Sequence, residues 1–350
     1  MNDTPATTLR DIAEAAGVSV AAASKVLNNR GGVSEESRQR VLAVAEQLGY
    51  QGRNARAMSK AGVGSAVLIV PADYYSDSQF YHDIISTALT ECAANSLAVE
   101  VRLIAPSDQG GLVEVNETLG ATTHGAVIAL GLNDADMIDR IAESGLPSVL
   151  INGMDRAMRI DSALPDNWST GWLATRHLLA AGHTGIMHVT LPHRLTMQRR
   201  LEGFRVAMEE AGIGFDPARN LLDLGAEGFA ETQARAAIVA AFEAGRLEGV
   251  TAFFCSTDMV AFGVMQGLQS LGFAVPDDFS VIGLDDVAVA ANSRPPLTTM
   301  RIDRPELGRA GVSLLLQRIN DPSRAISRVN IGVELVERAT VGPPRGQPAK

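Results

Sequence analysis

The sequence predicts a small all-α helix-turn-helix head followed by an α/β body of two Rossmann-like lobes. Three capped helices stand in the first 50 residues, and short apolar runs alternate with amphipathic stretches from residue 65 onward. We expect the head over residues 1–50, a hinge over 51–63, the body over 64–340 and a tail over 341–350. The first lobe is expected over about 64–163 and 294–322, and the second over about 164–293 and 323–340.

The head contains three helix starts with a side chain able to cap the first turn, at Thr8, Ser19 and Ser34. Asp11 stands three residues after Thr8, which is the spacing of a capping box. Gly17 interrupts the chain, so that a turn of three to four residues joins the first two helices. The second helix is expected to end near Leu27 and the third near Gly49.

The second helix has two distinct faces. Its apolar stripe, expected to pack on Leu9, Ile12, Val41 and Leu48, consists of Ala23, Val26 and Leu27. A neighbouring face carries Val20, Ala21, Ser24 and Lys25. Lysine can donate to guanine, and small apolar side chains can contact the thymine methyl group. The helix signals alone fit either a DNA-reading motif or a three-helix core with no DNA role.

A resemblance favours DNA reading. The stretches TLRDIAEAAGVSVAAASKVLNN and GVSEESRQRVLAVAEQLGY, within residues 8–50, resemble the N-terminal signature of the LacI/GalR family of bacterial transcription regulators. This resemblance implies that the second helix enters the major groove of an operator. We predict base contacts by Val20, Ala21 and Lys25. The predicted phosphate-side donors are Thr8, Ser19, Ser24, Asn28, Ser34 and Ser37.

The charge distribution fits a nucleic-acid-binding head on an acidic body. Residues 1–62 contain eight Lys or Arg and six Asp or Glu, whereas the rest of the chain contains 22 and 34. The net charge of −10 therefore arises outside the head.

The segment QGRNARAMSKAGVG after Tyr50 is polar and basic. It is either a plain flexible linker or, by the family resemblance, a hinge helix that inserts an apolar side chain into the minor groove. Its sequence departs from the family pattern, because Gly52 and Arg53 replace the usual proline and asparagine. Met58 is the candidate inserted side chain, and Arg53, Arg56 and Lys60 are candidate phosphate contacts.

Strands and helices alternate through the body. The predicted strands are Ala66–Val70, Leu97–Ile104, Gly125–Leu130, Ser148–Ile151, Gly185–Val189, Val250–Cys255 and Ser280–Leu284. The predicted helices are Phe80–Ala93, Ala135–Ser144, Gly171–Ala181, Arg200–Ala211, Phe229–Ala244 and Met259–Leu271. Continuous apolar strands between helices predict parallel sheets covered on both faces, and the length predicts two of them.

Ligands of open α/β sheets bind beyond the carboxyl ends of the strands, here between the two lobes. The residues that follow the predicted strands are carboxylates, amides, arginines and aromatics. Such groups suit the hydroxyls and apolar face of a sugar. Asp258 either caps the helix that it precedes or contacts ligand. Asp286 is expected to be structural, and Trp172 is expected in the core because it lies within an amphipathic helix.

The family resemblance extends more loosely over the body, for example in DNWSTGWLATRHLLAAGHTGI, RRLEGFRVAMEEAGI and FFCSTDMVAFGVMQGLQSLGFAVPDDFSVIGLDD. It implies a periplasmic-binding-protein-like architecture with an effector in the cleft. The predicted effector contacts are Phe80, Tyr81, Asn152, Trp168, Thr196, Arg200, Thr257 and Asp285. Thr257 stands where many members have asparagine, and Asn152 where the family often has aspartate.

The expected function is a cytoplasmic, ligand-responsive repressor that binds a pseudo-palindromic operator as a homodimer and is released by a sugar-like effector. A regulator corepressed by a purine or nucleoside, and a sugar-binding receptor without a DNA role, remain alternatives. Gly-x-Ser-x-Gly and phosphate-loop motifs are missing, so we expect no enzyme. Cys92 and Cys255 lie far apart with no CxxC or matching histidine spacing, which argues for a reducing cytoplasm and against a structural metal. We expect no cofactor. The sequence shows no signal peptide and no run long enough to span a membrane.

Overall fold

The structure is a computed structural model of the 350-residue chain. It describes residues 8–27, 32–48, 63–76, 79–105, 110–121, 124–192, 194–225 and 231–345.

The head contains three helices: α1 (Leu9–Ala15), α2 (Val20–Leu27) and α3 (Glu35–Gln47). Their predicted caps are confirmed. Thr8 and Asp11 form a reciprocal capping box at the start of α1. The Oγ atom of Ser19 accepts a hydrogen bond from the backbone N–H of Ala22 at 3.1 Å, and Ser34 similarly accepts from Ser37 at 3.3 Å. Each bond satisfies an N–H that the helix itself leaves unpaired.

The three helices pack around one small core. Ile12, Ala23, Val26 and Val41 are buried in it, and Leu9 and Leu27 lie at its edge. The prediction that Leu48 joins this core is wrong, because its side chain is 40% exposed. Leu48 lies just past the end of α3, where the rest of the head leaves its side chain uncovered.

The body contains two six-stranded sheets. The first has the order β11-β5-β4-β3-β1-β2 and the second the order β12-β10-β9-β8-β6-β7. The strands of the first sheet are β1 (Ser65–Pro71), β2 (Ala98–Ile104), β3 (Ala126–Leu130), β4 (Ser148–Ile151), β5 (Asp161–Pro165) and β11 (Arg328–Ile331). Those of the second are β6 (Ile186–Thr190), β7 (Leu221–Asp223), β8 (Ala252–Cys255), β9 (Ser280–Asp285), β10 (Thr298–Ile302) and β12 (Val333–Val336). All pairings are parallel except β10 with β12, which confirms the predicted doubly covered α/β architecture.

Eleven helices are described in the body. They are α4 (Ala72–Ser76), α5 (Gln79–Ala94), α6 (Gly111–Gly120), α7 (Ala135–Glu143), α8 (Asn167–Ala180), α9 (Leu195–Glu210), α10 (Pro217–Asn220), α11 (Glu231–Glu243), α12 (Asp258–Ser270), α13 (Ala288–Asn292) and α14 (Arg304–Asn320). Two of them begin at least four residues earlier than predicted. Helix α8 begins at Asn167 because Asp166 caps it, and α9 begins at Leu195, so that Arg200 lies inside the helix.

The chain crosses between the lobes at three single residues: Asp166, Asp303 and Gly332. This corrects the predicted lobe boundaries at 294 and 323. The segment that forms β10 was expected in the first lobe, but β10 pairs with β9 and extends the second sheet. The segment that forms β11 was expected in the second lobe, but β11 pairs with β5 in the first. Only α14 of the 294–322 segment packs on the first sheet.

Candidate functional site

The predicted base-reading face of α2 points away from the core of the head. The side chain of Val20 is 45% exposed, and Ala21 and Lys25 are also exposed. Ser24 is half-buried beside them. An exposed apolar side chain next to an exposed lysine on one helix face suits contact with thymine methyl groups and guanine. The contacts themselves remain a prediction.

The predicted phosphate-side donors differ in how their hydroxyl groups are used. Thr8 donates to Asp11 Oδ2 at 2.7 Å, and Ser34 donates to the Oγ atom of Ser37 at 3.0 Å. These two hydroxyls already donate within the head, so they would have to exchange a partner to reach phosphate. Ser19 is exposed, and its oxygen accepts from the backbone. Asn28, Arg53, Arg56 and Met58 lie outside the described residues, so their predicted DNA contacts stay predictions.

Asn152 follows β4 at the wall of the interlobe cleft. Its backbone φ of 52° is left-handed, a conformation that asparagine tolerates better than most residues. The Nδ2 group donates to the hydroxyl oxygen of Tyr81 at 2.9 Å, while the Oδ1 atom is buried without a hydrogen-bond partner. A buried acceptor of this kind costs free energy until a donor reaches it.

Aromatic side chains stand beside Asn152. The rings of Tyr74 and Tyr81 are stacked with centroids 4.3 Å apart, and Phe80 meets the edge of Tyr81 at 5.1 Å. Arg194, from the second lobe, lies 5.3 Å above the ring of Tyr74. This cation–π contact therefore links the lobes. Burial raises the pKa of Tyr81 above its ordinary value, so its hydroxyl stays protonated.

Arg200 lies on α9 in the second lobe and is only 3% exposed. Its Nε atom donates to Asn167 Oδ1 at 2.8 Å, and its Nη1 atom donates to the carbonyl of Ser256 at 2.9 Å. Within the described residues it has no ion pair, and its Nη2 atom has no hydrogen-bond acceptor. Burial lowers its pKa to about 10, so it remains charged at neutral pH. A buried, charged fork with an open side is suited to a polar ligand.

Arg200 is placed by a close contact between α8 and α9. A Cβ atom at Gly171 would lie 2.0 Å from the carbonyl oxygen of Arg200, and one at Gly203 would lie 2.0 Å from that of Trp168. Only glycine at both positions lets the helix backbones meet this closely. The contact brings Asn167 of α8 within hydrogen-bond distance of Arg200.

Asp285 ends β9 with a φ of 118°, a region strongly unfavourable for a residue with a side chain. It is 8% exposed. Burial raises its pKa well above the ordinary value, and Asp258 raises it further, whereas Arg200 and Arg304 oppose the shift. Asp285, Arg200 and Tyr81 are close enough to influence one another electrostatically, so these predicted effector residues come together.

Asp258 is structural. Its Oδ1 atom accepts from the hydroxyl of Thr299 at 2.6 Å, and its Oδ2 atom accepts from the backbone of Val287 at 2.9 Å. The helix cap is instead Thr257, whose oxygen accepts from Val260 at 3.1 Å. In place of the two alternatives for Asp258, cap and ligand contact, its carboxylate connects the start of α12 to β10 and to the loop after β9.

Asp258 should give the protein a pH-dependent stability that the Asp258→Asn variant lacks. Burial raises its pKa from the ordinary 3.8 to about 7. Between these values the folded protein holds a proton that the unfolded chain releases, so stability falls as the pH rises. We expect the loss measured by urea unfolding between about pH 5 and 7 to be smaller in Asp258→Asn than in the unmodified protein. An equal loss in both proteins would contradict this assignment.

Two other predicted effector residues, Trp168 and Thr257, use their side chains in other contacts, and a third, Thr196, is buried. Trp168 is half-buried and stacks on Trp172, with ring centroids 6.4 Å apart. Thr196 is buried one turn before Arg200, and the oxygen of Thr257 is used in capping. Trp172 was expected in the core, but it is half-buried and its Nε1 atom donates to Glu210 at 2.8 Å.

The sequence analysis did not identify four residues of the site: Tyr74, Arg194, Asn167 and Ser256. Ser256 has a buried Oγ atom without a partner next to Arg200. Tyr74 and Arg194 lie in the segments that follow β1 and β6. Their position after a strand was therefore the one sequence signal that could have identified them as site residues. Asp286, expected to be structural, is paired with Arg301 at 2.7 Å and Arg338 at 2.6 Å.

Over the described ranges, no group of three or more His, Cys, Asp or Glu side chains is arranged to hold a metal ion. In that same part of the chain, none of the helices combines the length and the hydrophobicity that crossing a membrane requires.

Two family models match the chain. The model for bacterial regulatory proteins of the lacI family matches residues 8–52. A model described as a periplasmic binding protein-like domain matches residues 175–341.

Relatives match over nearly the whole length of the chain. The HTH-type transcriptional regulator MalR of Streptomyces coelicolor is 32% identical, covering 97% of this chain and 98% of its own length. The ribose operon repressor of Haemophilus influenzae is 29% identical, covering 90% and 93%. A solved structure of the lac repressor dimer bound to operator and the anti-inducer ONPF aligns with a TM-score of 0.70 at 25% identity, covering 96% and 99%.

A helix-turn-helix head on a two-lobed body with a polar cleft defines a class of DNA-binding regulators with a ligand-binding domain. The match to MalR extends over nearly the whole length of both chains. The chain belongs to the LacI family of bacterial transcriptional regulators.

Proposed function

We propose that this protein is a dimeric repressor whose operator affinity is controlled by a small, sugar-like effector held between Asn152 in the first lobe and Arg200 and Asp285 in the second. The single observation that carries the proposal is the pair of unmet groups at the cleft. These are the buried Oδ1 atom of Asn152 and the Nη2 atom of Arg200, which has no acceptor within the described residues. One ligand hydroxyl can donate to the first, and another can accept from the second.

The chemistry of the cleft favours a polar ligand with several hydroxyls. Asp285 supplies an acceptor, Ser256 supplies a buried hydroxyl without a partner, and the Tyr81 ring supplies an apolar face. Hydroxyl groups can both donate and accept, so they match this mixed set. The relative named as a ribose operon repressor supports a sugar.

A planar purine or nucleoside is the second candidate, and the aromatic stack favours it. Tyr74 and Tyr81 are nearly parallel, with an interplanar angle of 6°. A base could replace Tyr74 on the ring of Tyr81, since aromatic faces stack on any π-system. A thermal-shift screen of sugars, sugar phosphates, purines and nucleosides, repeated with operator DNA, separates these candidates. The sugar proposal fails if only purines or nucleosides raise the melting temperature.

We infer that the protein binds DNA as a homodimer on two half-sites. A single α2 helix offers few base contacts, each worth about 1–3 kcal/mol, which is too little for useful specificity. The solved lac repressor dimer on its operator supports this arrangement. The protein would then act in the cytoplasm, where the operator is, and by binding alone without catalysis.

Lys25→Ala should relax specificity at one base pair of each half-site. Lys25 is the only predicted base contact that can donate a hydrogen bond, and it is exposed on the outer face of α2. We expect a loss of about 1–3 kcal/mol on the preferred operator and little loss on operators mutated at that pair.

The measurement is fluorescence anisotropy on a panel of single-base operator variants. Arg10→Ala serves as the matched control, because it removes one positive charge from an exposed position on α1. It should leave the order of affinities among the operator variants unchanged. A uniform loss over the whole panel in Lys25→Ala would make Lys25 a phosphate contact instead.

A further inference from the structure

A second cavity, of about 430 Å³, lies on the outer side of α9. The first lobe contributes Met154, Arg156 and Arg328 to its lining. The second lobe contributes Leu195 and Arg199 from α9. The cavity therefore spans both lobes.

This cavity is distinct from the effector cleft. On α9, the residues that line it are Leu195, Gln198, Arg199 and Glu202. At 100° per residue, these positions share one face, and Arg200 projects from the opposite part of the helix. A ligand held against this face of α9 therefore does not contact Arg200.

The cavity concentrates unmatched positive charge. Three guanidinium groups face one carboxylate, Glu202, which already pairs with Arg199 at 2.9 Å. Over the described ranges, Arg156 and Arg328 have no ion pair, and Arg156 donates only to the neutral oxygen of Gln198 at 2.9 Å. Gln198 belongs to the second lobe and Arg156 to the first, so this bond already crosses between them.

Arg328 carries the clearest sign of a missing partner. Its Nη2 atom donates to the carbonyl of Asp155 at 2.7 Å, but its Nε atom is buried and has no acceptor. Burial lowers the pKa of Arg328, and the nearby positive charge of Arg199 lowers it further, whereas the Asp155 carboxylate opposes the shift. An anion between these two arginines would supply the acceptor and relieve their repulsion.

We propose that this cavity is a second ligand site, which binds the phosphate group of a small organic phosphate. Phosphate presents three equivalent acceptor oxygens, one for each of Arg156, Arg199 and Arg328, and matches the guanidinium fork. The volume exceeds that of phosphate alone, and Met154 and Leu195 provide an apolar wall for an organic body. An occupant would tie Arg156 and Arg328 of one lobe to Arg199 of the other, and so stabilise this arrangement of the lobes.

The test is isothermal titration calorimetry of the full chain at constant ionic strength, with glucose 6-phosphate, inorganic phosphate and glucose as probes. The variant Arg156→Gln/Arg199→Gln removes two exposed arginines, so the fold should be kept. Arg205→Gln is the matched control, because Arg205 is an exposed arginine on α9 outside the cavity. We expect glucose 6-phosphate to bind the unmodified protein and Arg205→Gln equally, and the double variant about a hundredfold more weakly.

Other arms separate this site from the effector cleft. Glucose 6-phosphate should still bind Arg200→Ala, and glucose should not compete with it. Lost binding in Arg200→Ala, or competition by glucose, would place the probe in the cleft and overturn the proposal. No binding to the unmodified protein, or equal binding by the double variant, would also overturn it. Tighter binding of inorganic phosphate than of glucose 6-phosphate would overturn the inference that the ligand has an organic body.

Discussion

Arg200→Ala should abolish the effector response while operator binding without effector stays unchanged. The guanidinium is buried in the cleft, and hydrogen bonds to a charged group contribute about 1.5–3 kcal/mol each. Losing one of them should weaken effector binding by roughly tenfold to two hundredfold. The predicted DNA contacts all lie in residues 8–58, far along the chain from α9. The measurement is operator affinity by anisotropy as the effector is titrated.

Two further variants make this test specific. Arg205→Ala removes an arginine from the same helix, where its side chain is 47% exposed and paired with Glu209. It should respond to effector normally. Arg200→Lys keeps the charge but loses the fork that holds Asn167 and Ser256, so its response should remain weak. A full response in Arg200→Ala would show that the effector binds elsewhere.

Gly171→Ala should cause a large loss of stability in the second lobe. The added Cβ would lie 2.0 Å from the backbone oxygen of Arg200, and a backbone atom cannot rotate away. Helices α8 and α9 would have to separate, at a cost of about 3 kcal/mol. Because this contact also places Arg200 beside Asn167, effector binding should weaken as well. Thermal unfolding and effector titration measure the two effects.

Gly214→Ala is the matched control. It makes the same substitution in the same lobe, where the new Cβ would have no neighbour within 4 Å. We expect its melting temperature to stay within a degree or so of the unmodified protein, since exposed substitutions usually change stability little. Equal melting temperatures for the two variants would mean that α8 and α9 are less tightly packed than the structure indicates.

Features with local causes could be predicted from the sequence. The caps at Thr8, Ser19 and Ser34 depend on residues three positions away, so the helix starts of the head were placed correctly. The side chain of Leu48 was misplaced because the apolar stripe was continued past the end of α3.

Features set by contacts between distant parts of the chain could not be predicted from the sequence. Strand β10 joins the second sheet through its pairing with β9, and nothing in its own five residues distinguishes one sheet from the other. Arg200 and Asp285 were picked out by position and resemblance. Their shared environment depends on Gly171 and Gly203, whose role appears only when two helices are seen in contact. The stack of Arg194 on Tyr74 joins two lobes and leaves no periodic signal in either segment.

The most direct test of the central claim is a titration of operator affinity with the effector found by thermal shift. The DNA for this test would be a two-fold symmetric operator, obtained by selecting the sequences that the protein binds from random DNA. We expect saturating effector to lower operator affinity by up to about a hundredfold when it is present at roughly 100 times its Kd, because the available free energy is then about 2.7 kcal/mol. An effector that binds the protein but leaves operator affinity unchanged would contradict the account, as would saturation on a single half-site.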